Sequence, residues 1–367
     1  MDRPTLYLNH AGTSWPKPPR VRAAVERALD ADPSTWAEDF ARDHATVARA
    51  FGLDSPDRLL LTPGCTSALA VAIADLPWQP GDRVLTSSME HHAVVRPLLK
   101  LRERGVRVTF LPRASAGPLD LDAARAELAR GDVRLVAISA AANVTGERLP
   151  VDVLVREAHA AGALVLVDGA QVTGWDDLDL LRLEADLFAF AGHKGPQAPW
   201  GIGGLYVRPG VRMQCLAAVC ELPTEGGGTM PSWCDVGSVD RLALAGLAAG
   251  LGGREPEALE QATGAAQALR AGLGATPGVR VFAGSDLPTV AFVVDGWSLG
   301  AIGAALAARG VIVSAGLQCA PRAHEALGTD PEGVVRVSFG PGQGVDDAER
   351  ALRAVNAALA RATPGTG

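Results

Sequence analysis

The stretch Asp186-Leu-Phe-Ala-Phe-Ala-Gly-His-Lys194-Gly-Pro196 runs five apolar residues into a His-Lys pair and then into a Gly/Pro-rich loop. A short run that is apolar on both faces and bounded by breakers reads as a buried strand. Lysine occurs only at positions 17, 100 and 194 of the 367 residues, because arginine has taken over the surface role. A lysine kept at the end of a core strand is therefore a candidate reagent: a desolvated amine has a lowered pKa and can form a Schiff base. Chance survival at a strand-to-loop boundary is the competing explanation, and the rest of the chain decides between them.

Working outward, apolar β-rich runs alternate with alanine-rich helical stretches over the first 210 residues. Strands are predicted at 58–62, 83–86, 106–111, 135–139, 163–167 and 187–191, with helices over 67–74, 94–104 and 151–161. Short strands apolar on both faces and separated by helices predict an α/β fold with a mostly parallel sheet, covered on both sides. Such sheets bind ligands at the carboxyl ends of their strands. A Gly/Pro-rich passage over 195–204 reads as a loop, and Gly226-Gly-Gly-Thr229 as a second loose segment. A long helix-compatible stretch over 242–273 leads into a smaller α/β region. Strands are expected there at 279–282, 289–294, 311–314 and 334–339, with helices over 299–309 and 345–360. The expected domains are 1–240, containing the large sheet, and 241–367.

Composition narrows the function classes. A net charge of −7 without a Lys/Arg cluster argues against nucleic acid or an anionic membrane surface as partner. No basic start followed by an apolar stretch opens the chain, and no run approaches 18 apolar residues. Five irregularly spaced cysteines (Cys65, Cys215, Cys220, Cys234, Cys319) suit free thiols in a reducing compartment, and a disulfide framework or zinc site is not expected. The expectation is a soluble cytoplasmic enzyme acting on a small molecule.

Four segments at predicted strand ends carry complementary chemistry. Leu61-Thr-Pro-Gly-Cys-Thr-Ser67 is a strand leading through glycine into a helix. Its backbone N–H groups and the hydroxyls of Thr66 and Ser67 make a phosphate cradle, with a plain N-cap as the bland alternative. Ser87-Ser-Met-Glu-His91-His92 offers an aromatic ring to cover a planar cofactor and an imidazole for proton transfer. In Ala163-Leu-Val-Leu-Val-Asp168-Gly-Ala-Gln171 an apolar run ends on a carboxylate that needs a partner. A protonated ring nitrogen would supply one, and Gln171 could bond an adjacent ring oxygen. With the Lys194 loop these are the parts of a pyridoxal 5′-phosphate (PLP) site.

The chain resembles the class V aminotransferase family, whose best-known members are the cysteine desulfurases. The resemblance spans nearly the whole length through Tyr7-Leu-Asn-His-Ala-Gly-Thr-Ser-Trp-Pro-Lys-Pro18, Thr62–Ser67, Glu90-His-His92, Asn143-Val-Thr-Gly-Glu147, Val167-Asp-Gly-Ala-Gln171 and Gly192-His-Lys-Gly195. It implies fold type I architecture, a large domain with a seven-stranded-type sheet plus a smaller carboxyl-terminal domain. It further implies that Lys194 carries PLP as a Schiff base, Asp168 pairs with the pyridine nitrogen, and Gln171 and Asn143 touch the ring oxygen. His91 would stack on the ring, Thr66 and His193 would bind the phosphate, and Arg336 would hold the substrate carboxylate, with Asn143 beside it. A homodimer is implied, with Ser238 and its neighbours reaching the partner's phosphate.

The reaction depends on what surrounds the cofactor. Val313-Ser-Ala-Gly-Leu-Gln-Cys319-Ala-Pro-Arg322 resembles the loop that presents the nucleophilic cysteine of desulfurases, with Cys319 at that position. The expected chemistry is transfer of sulfur from cysteine to Cys319, with release of alanine, Lys194 moving the Cα proton and His91 shuttling protons. A sulfur-acceptor protein would follow as partner. Relatives often carry arginine at the position of Ser314 and histidines at those of Leu317 and Gln318, so a positive charge favouring the Cys319 thiolate is missing here. Ala191 likewise stands where a phosphate-binding serine is usual. These departures suit an alternative, β-elimination from a cysteine S-conjugate by a C–S lyase, which needs Lys194 but not Cys319. Transamination and a non-catalytic scaffold that binds a sulfur acceptor are further readings.

Overall fold

The computed structural model describes residues 5–214 and 239–360. Seven strands form the large sheet in the spatial order Leu59–Thr62, Gly203–Val207, Leu187–Ala191, Leu164–Asp168, Val133–Ser139, Arg83–Ser87 and Arg107–Leu111. All neighbours pair in parallel except Gly203–Val207, which runs antiparallel to both strands beside it. Phe188 and Phe190 project from Leu187–Ala191 onto Phe51, whose ring lies 4.6 Å from that of Phe190. The α/β class and mostly parallel sheet expected from the sequence are those of the structure.

Two local expectations fail for physical reasons. The passage 195–204, read as loop, ends in the strand Gly203–Val207. Its glycines make room and do not break the strand: a Cβ on Gly204 would lie 2.5 Å from the Phe190 ring, and one on Gly203 2.4 Å from the Phe190 carbonyl oxygen. The single helix read over 242–273 is two helices, Arg241–Gly252 and Pro256–Gly274. Gly253 ends the first, and Pro256, which lacks an N–H, opens the second.

The chain forms two compact units whose bounds differ from a single break after residue 240. One, residues 16–140 and 149–254, contains the seven-stranded sheet. The other, residues 1–15, 141–148 and 255–367, contains a four-stranded antiparallel sheet in the order Ser314–Gly316, Val334–Ser338, Thr289–Val294 and Val279–Val281. Its amino-terminal strand Leu6–Tyr7 pairs in parallel with Val311–Ile312. Backbone pairing of residues 305 positions apart makes the first residues of the chain part of this unit, which no local sequence pattern could reveal. Among the described residues no helix is long and apolar enough to cross a membrane, and no group of three or more His, Cys, Asp or Glu side chains could hold a metal ion.

Candidate active site

In the large-sheet unit, Lys194 lies three residues beyond the buried strand Leu187–Ala191, in a loop fixed through its backbone. The Gln197 N–H donates to the Lys194 carbonyl at 2.9 Å, and the Lys17 ammonium donates to the His193 carbonyl at 3.3 Å. The loop packs so closely on Thr173-Gly174 that a Cβ on Gly174, which has φ +87°, would lie 2.3 Å from the Gly195 carbonyl carbon. Burial pushes the His193 imidazole down to about 4, helped by the charges of Lys194 and Lys17, so the ring is neutral at physiological pH. Burial also pulls Lys17 down to about 8.

Asp168 ends the neighbouring strand Leu164–Asp168 and is buried. Its Oδ1 accepts from the Ala170 N–H at 2.9 Å and from the Cys65 thiol at 3.4 Å. Burial first, and then the Asp168 charge, push the Cys65 thiol well above its ordinary range, so it stays a proton donor. Cys65 opens the helix Cys65–Ala74, whose N-cap is Gly64 at φ +142° with no side chain to cap the first turn. Uncapped first-turn N–H groups and the positive end of the helix dipole favour an anion. Thr66 is exposed there and Ser67 half-buried. Gln171 is half-buried in the turn after Asp168.

His91 is half-buried, and its Nδ1 accepts from the Ala93 N–H at 3.0 Å, which puts the proton of the neutral ring on Nε2. Beside it Glu90 is fully buried. It accepts from the hydroxyls of Ser87 and Ser139 and from the Ser139 N–H at 2.9 Å, so it joins the ends of two adjacent strands. Burial raises the Glu90 carboxyl from 4.5 to about 7, against the lowering effect of those bonds. Between those values the folded chain holds more protons than the unfolded one. The stability Glu90 contributes is therefore complete below pH 4.5 and declines as pH rises through about 7. At about 1.4 kcal/mol per unit, the loss is on the order of 3 kcal/mol. The Glu90→Gln variant should accordingly gain roughly 2–3 kcal/mol on wild type between pH 5 and pH 8 in urea unfolding. A difference independent of pH would refute the assignment.

The second unit holds Arg336, Asn143 and Cys319. Arg336 lies within the strand Val334–Ser338 and is buried, which pulls its guanidinium down to about 10 against the opposing influence of Cys319 and Tyr7. It remains a cation at neutral pH. Arg336 donates to the Asn143 carbonyl at 2.7 Å and to Asn9 Oδ1 at 3.2 Å. The Asn143 amide donates to the Gln318 carbonyl at 2.7 Å. Cys319 is exposed. It and Gln318 have φ of 58° and 45°, a left-handed conformation costing non-glycine residues on the order of 1 kcal/mol each. Gln318 Nε2 donates to the Val334 carbonyl at 3.1 Å and reaches Ser314 Oγ at 3.4 Å. Buried His324 donates from Nε2 to the Leu317 carbonyl at 3.0 Å, with Thr329 Oγ1 2.8 Å from Nδ1. The loop thus displays Cys319 in one constrained geometry.

Within the first unit the structure gathers Cys65, Asp168 and Lys194, with the charges of Asp168 and Lys194 both acting on Cys65. Within the second it gathers Arg336, Asn143 and Cys319. Ser238 lies outside the described residues. The sequence reading overlooked Cys65, Glu90, Lys17 and Asn9. Each stood inside a quoted motif, and Lys17 was one of only three lysines, but burial and bonding partners are tertiary facts.

The donor set of the large-sheet unit fits PLP. A buried carboxylate suits a cation such as a protonated ring nitrogen, an uncapped helix start suits a phosphate, and an amine stands at a strand end.

Comparison with known proteins agrees with the sequence resemblance. The chain is 30% identical to a probable cysteine desulfurase of Vibrio cholerae over 97% of its own length and 94% of that protein. It is 32% identical to a probable cysteine desulfurase of Pseudomonas aeruginosa, over 92% of the chain and 87% of the relative. Its fold is similar to that of the cysteine desulfurase CsdA from Escherichia coli, with a TM-score of 0.86, 26% identity, and coverage of 97% and 95% of the two chains. A structure described as a C-DES mutant with glycine covalently linked to its PLP cofactor shares the fold, with a TM-score of 0.79 at 23% identity and 96% coverage of each chain. The family model described as aminotransferase class-V matches residues 19–350. With that match over most of its length, the chain belongs to the class V aminotransferase family.

Proposed function

We propose that this protein is a PLP-dependent cysteine desulfurase, in which Cys319 receives the sulfur and alanine is released. The observation that carries the reading is the loop of Cys319: an exposed thiol on a strained backbone that several hydrogen bonds hold, electrostatically connected to the buried cation Arg336. A free cysteine used only for packing is usually buried, as Cys65 is.

PLP supplies, when bound, an electron sink for the electrons left at the substrate Cα. The chain's own residues do the rest. Asp168, with Oδ1 held by Cys65 and the Ala170 N–H, would pair with the ring nitrogen. The first turn of Cys65–Ala74, with Thr66, Ser67 and neutral His193, binds the phosphate. Arg336 holds the substrate carboxylate as a fixed cation. His91 covers the ring, with its proton on Nε2 and available for transfer, and Gln171 bonds the ring oxygen. The Lys194 amine removes the Cα proton. The Cys319 thiolate then attacks the substrate sulfur: an S–S bond forms, the substrate C–S bond breaks, and its electron pair goes to Cβ, which takes up a proton, while Cα regains the proton that Lys194 removed. The products are alanine and a persulfide on Cys319, so atoms and electrons balance without an external oxidant. A homodimer and a protein that accepts the sulfur complete the proposal.

Product analysis tests it. PLP-loaded protein incubated with L-cysteine and a thiol reductant should yield alanine and sulfide in equal amounts. Pyruvate and ammonia with sulfide would make it a C–S lyase instead, the reaction to which the side chains at Ser314, Leu317 and Gln318 would be indifferent.

A further inference from the structure

Asn143 is bonded at both ends within one unit. Its main-chain carbonyl accepts from Arg336 at 2.7 Å, and its side-chain amide donates to the Gln318 carbonyl at 2.7 Å. Its own Oδ1 is buried without a hydrogen-bond partner among the described residues, so the donor end dictates how the side chain sits. A carbonyl oxygen can only accept, so the group facing Gln318 has to be the amide nitrogen.

The receiving residue is also unusual. Gln318 and Cys319 are consecutive non-glycine residues in the left-handed region, a conformation that persists only where the surroundings impose it. The contacts imposing it come from three directions. Gln318 Nε2 holds the Val334 carbonyl, His324 holds the Leu317 carbonyl, and Asn143 holds the carbonyl of the peptide that enters Cys319. Of these, only Asn143 acts on the peptide unit bonded directly to Cys319, and only Asn143 also bears the carbonyl to which Arg336 is anchored.

We propose that Asn143 is a positioning residue for the reacting thiol: its amide fixes the Gln318–Cys319 peptide, and its carbonyl fixes Arg336, so one residue sets both the sulfur-receiving and the carboxylate-holding groups. This rests on the desulfurase reading for its consequence in turnover, but the tie itself is a property of the fold.

The test uses the PLP-loaded full chain and two variants. Asn143→Asp keeps the shape and removes the donor; Asn143→Ala removes the side chain without introducing a buried charge, should the aspartate variant fail to fold. Amide hydrogen exchange over residues 317–321 should accelerate roughly five- to tenfold in either variant, with exchange in the large sheet unchanged. The rate constant for alanine formation should fall more than KM rises, because the thiol loses its placement while Arg336 keeps the main-chain carbonyl. Exchange over 317–321 equal to wild type in the folded variant would overturn the proposal, and a rise in KM alone would reduce Asn143 to a substrate contact. If wild type forms no alanine, the desulfurase reading fails, while the exchange measurement still decides the tie.

Discussion

Replacing Lys194 with alanine should reduce turnover at least about 10⁴-fold, because proton transfer by a positioned base is worth on the order of 10²–10⁴ and the same amine also holds the cofactor covalently in this proposal. The fold should survive. The loop is held by the Lys194 carbonyl, the His193 carbonyl and the close approach of Gly174 to Gly195, none of which needs the lysine side chain. Thermal unfolding of the variant should therefore match wild type to within about 2–4 °C, the shift expected of a substitution that moves stability by no more than about 1 kcal/mol. The visible absorbance marking a cofactor joined to lysine should be lost. Lys17 provides the informative control. Its amine is bonded to the adjacent carbonyl and pulled down to about 8 by burial, so it is partly neutral in mildly alkaline buffer and able to react with an aldehyde. Any absorbance that survives in Lys194→Ala should disappear in the double variant with Lys17→Ala. Turnover within 100-fold of wild type in Lys194→Ala would remove Lys194 from the chemistry.

The part of this site on the large sheet was largely legible in the sequence, because it is built from local patterns. A run of apolar residues ending in Asp168, another ending before Lys194 and a glycine leading into the helix at Cys65 each place a functional group at a strand end within one short segment. What the sequence could not give is what those groups touch. Cys65 meets Asp168 across 103 positions, and Glu90 meets Ser139 across 49. Both contacts follow from strand order, and strand order is not a local property. The boundary of the second unit was hidden for the same reason: Leu6–Tyr7 joins it by pairing with Val311–Ile312. The strand Gly203–Val207 was missed because glycine scores as a breaker, whereas here its lack of a side chain is what lets Phe190 pack. The loop of Cys319 could be located by resemblance, but its left-handed backbone at Gln318 and Cys319 could not, since neither residue type favours it.

The alanine variant of Cys319 gives the other large effect, and it separates the two C–S cleaving readings. If Cys319 is the acceptor, Cys319→Ala should lower alanine and sulfide formation by about 10³-fold or more, the scale set by loss of an attacking nucleophile. The absorbance of the bound cofactor should not change, because Cys65, Asp168 and Lys194 belong to the large-sheet unit and keep their contacts. Stability should change by no more than about 0.5 kcal/mol, as expected of an exposed position. Serine at the same position separates placement from chemistry, since it fits the same backbone but is a far weaker nucleophile towards sulfur, so Cys319→Ser should be as inactive as Cys319→Ala. Mass analysis of the wild-type peptide containing Cys319 after brief exposure to L-cysteine should show the addition of one sulfur atom, and neither variant should carry it. Full alanine production by Cys319→Ala would exclude Cys319 as the acceptor. Unchanged production of pyruvate and ammonia by wild type and variant alike would assign the chain to β-elimination. In that case the bonds from Asn143, Gln318 and His324 would fix a wall of the substrate pocket, and the strain at residues 318 and 319 would serve the shape of that wall instead of the reactivity of a thiol.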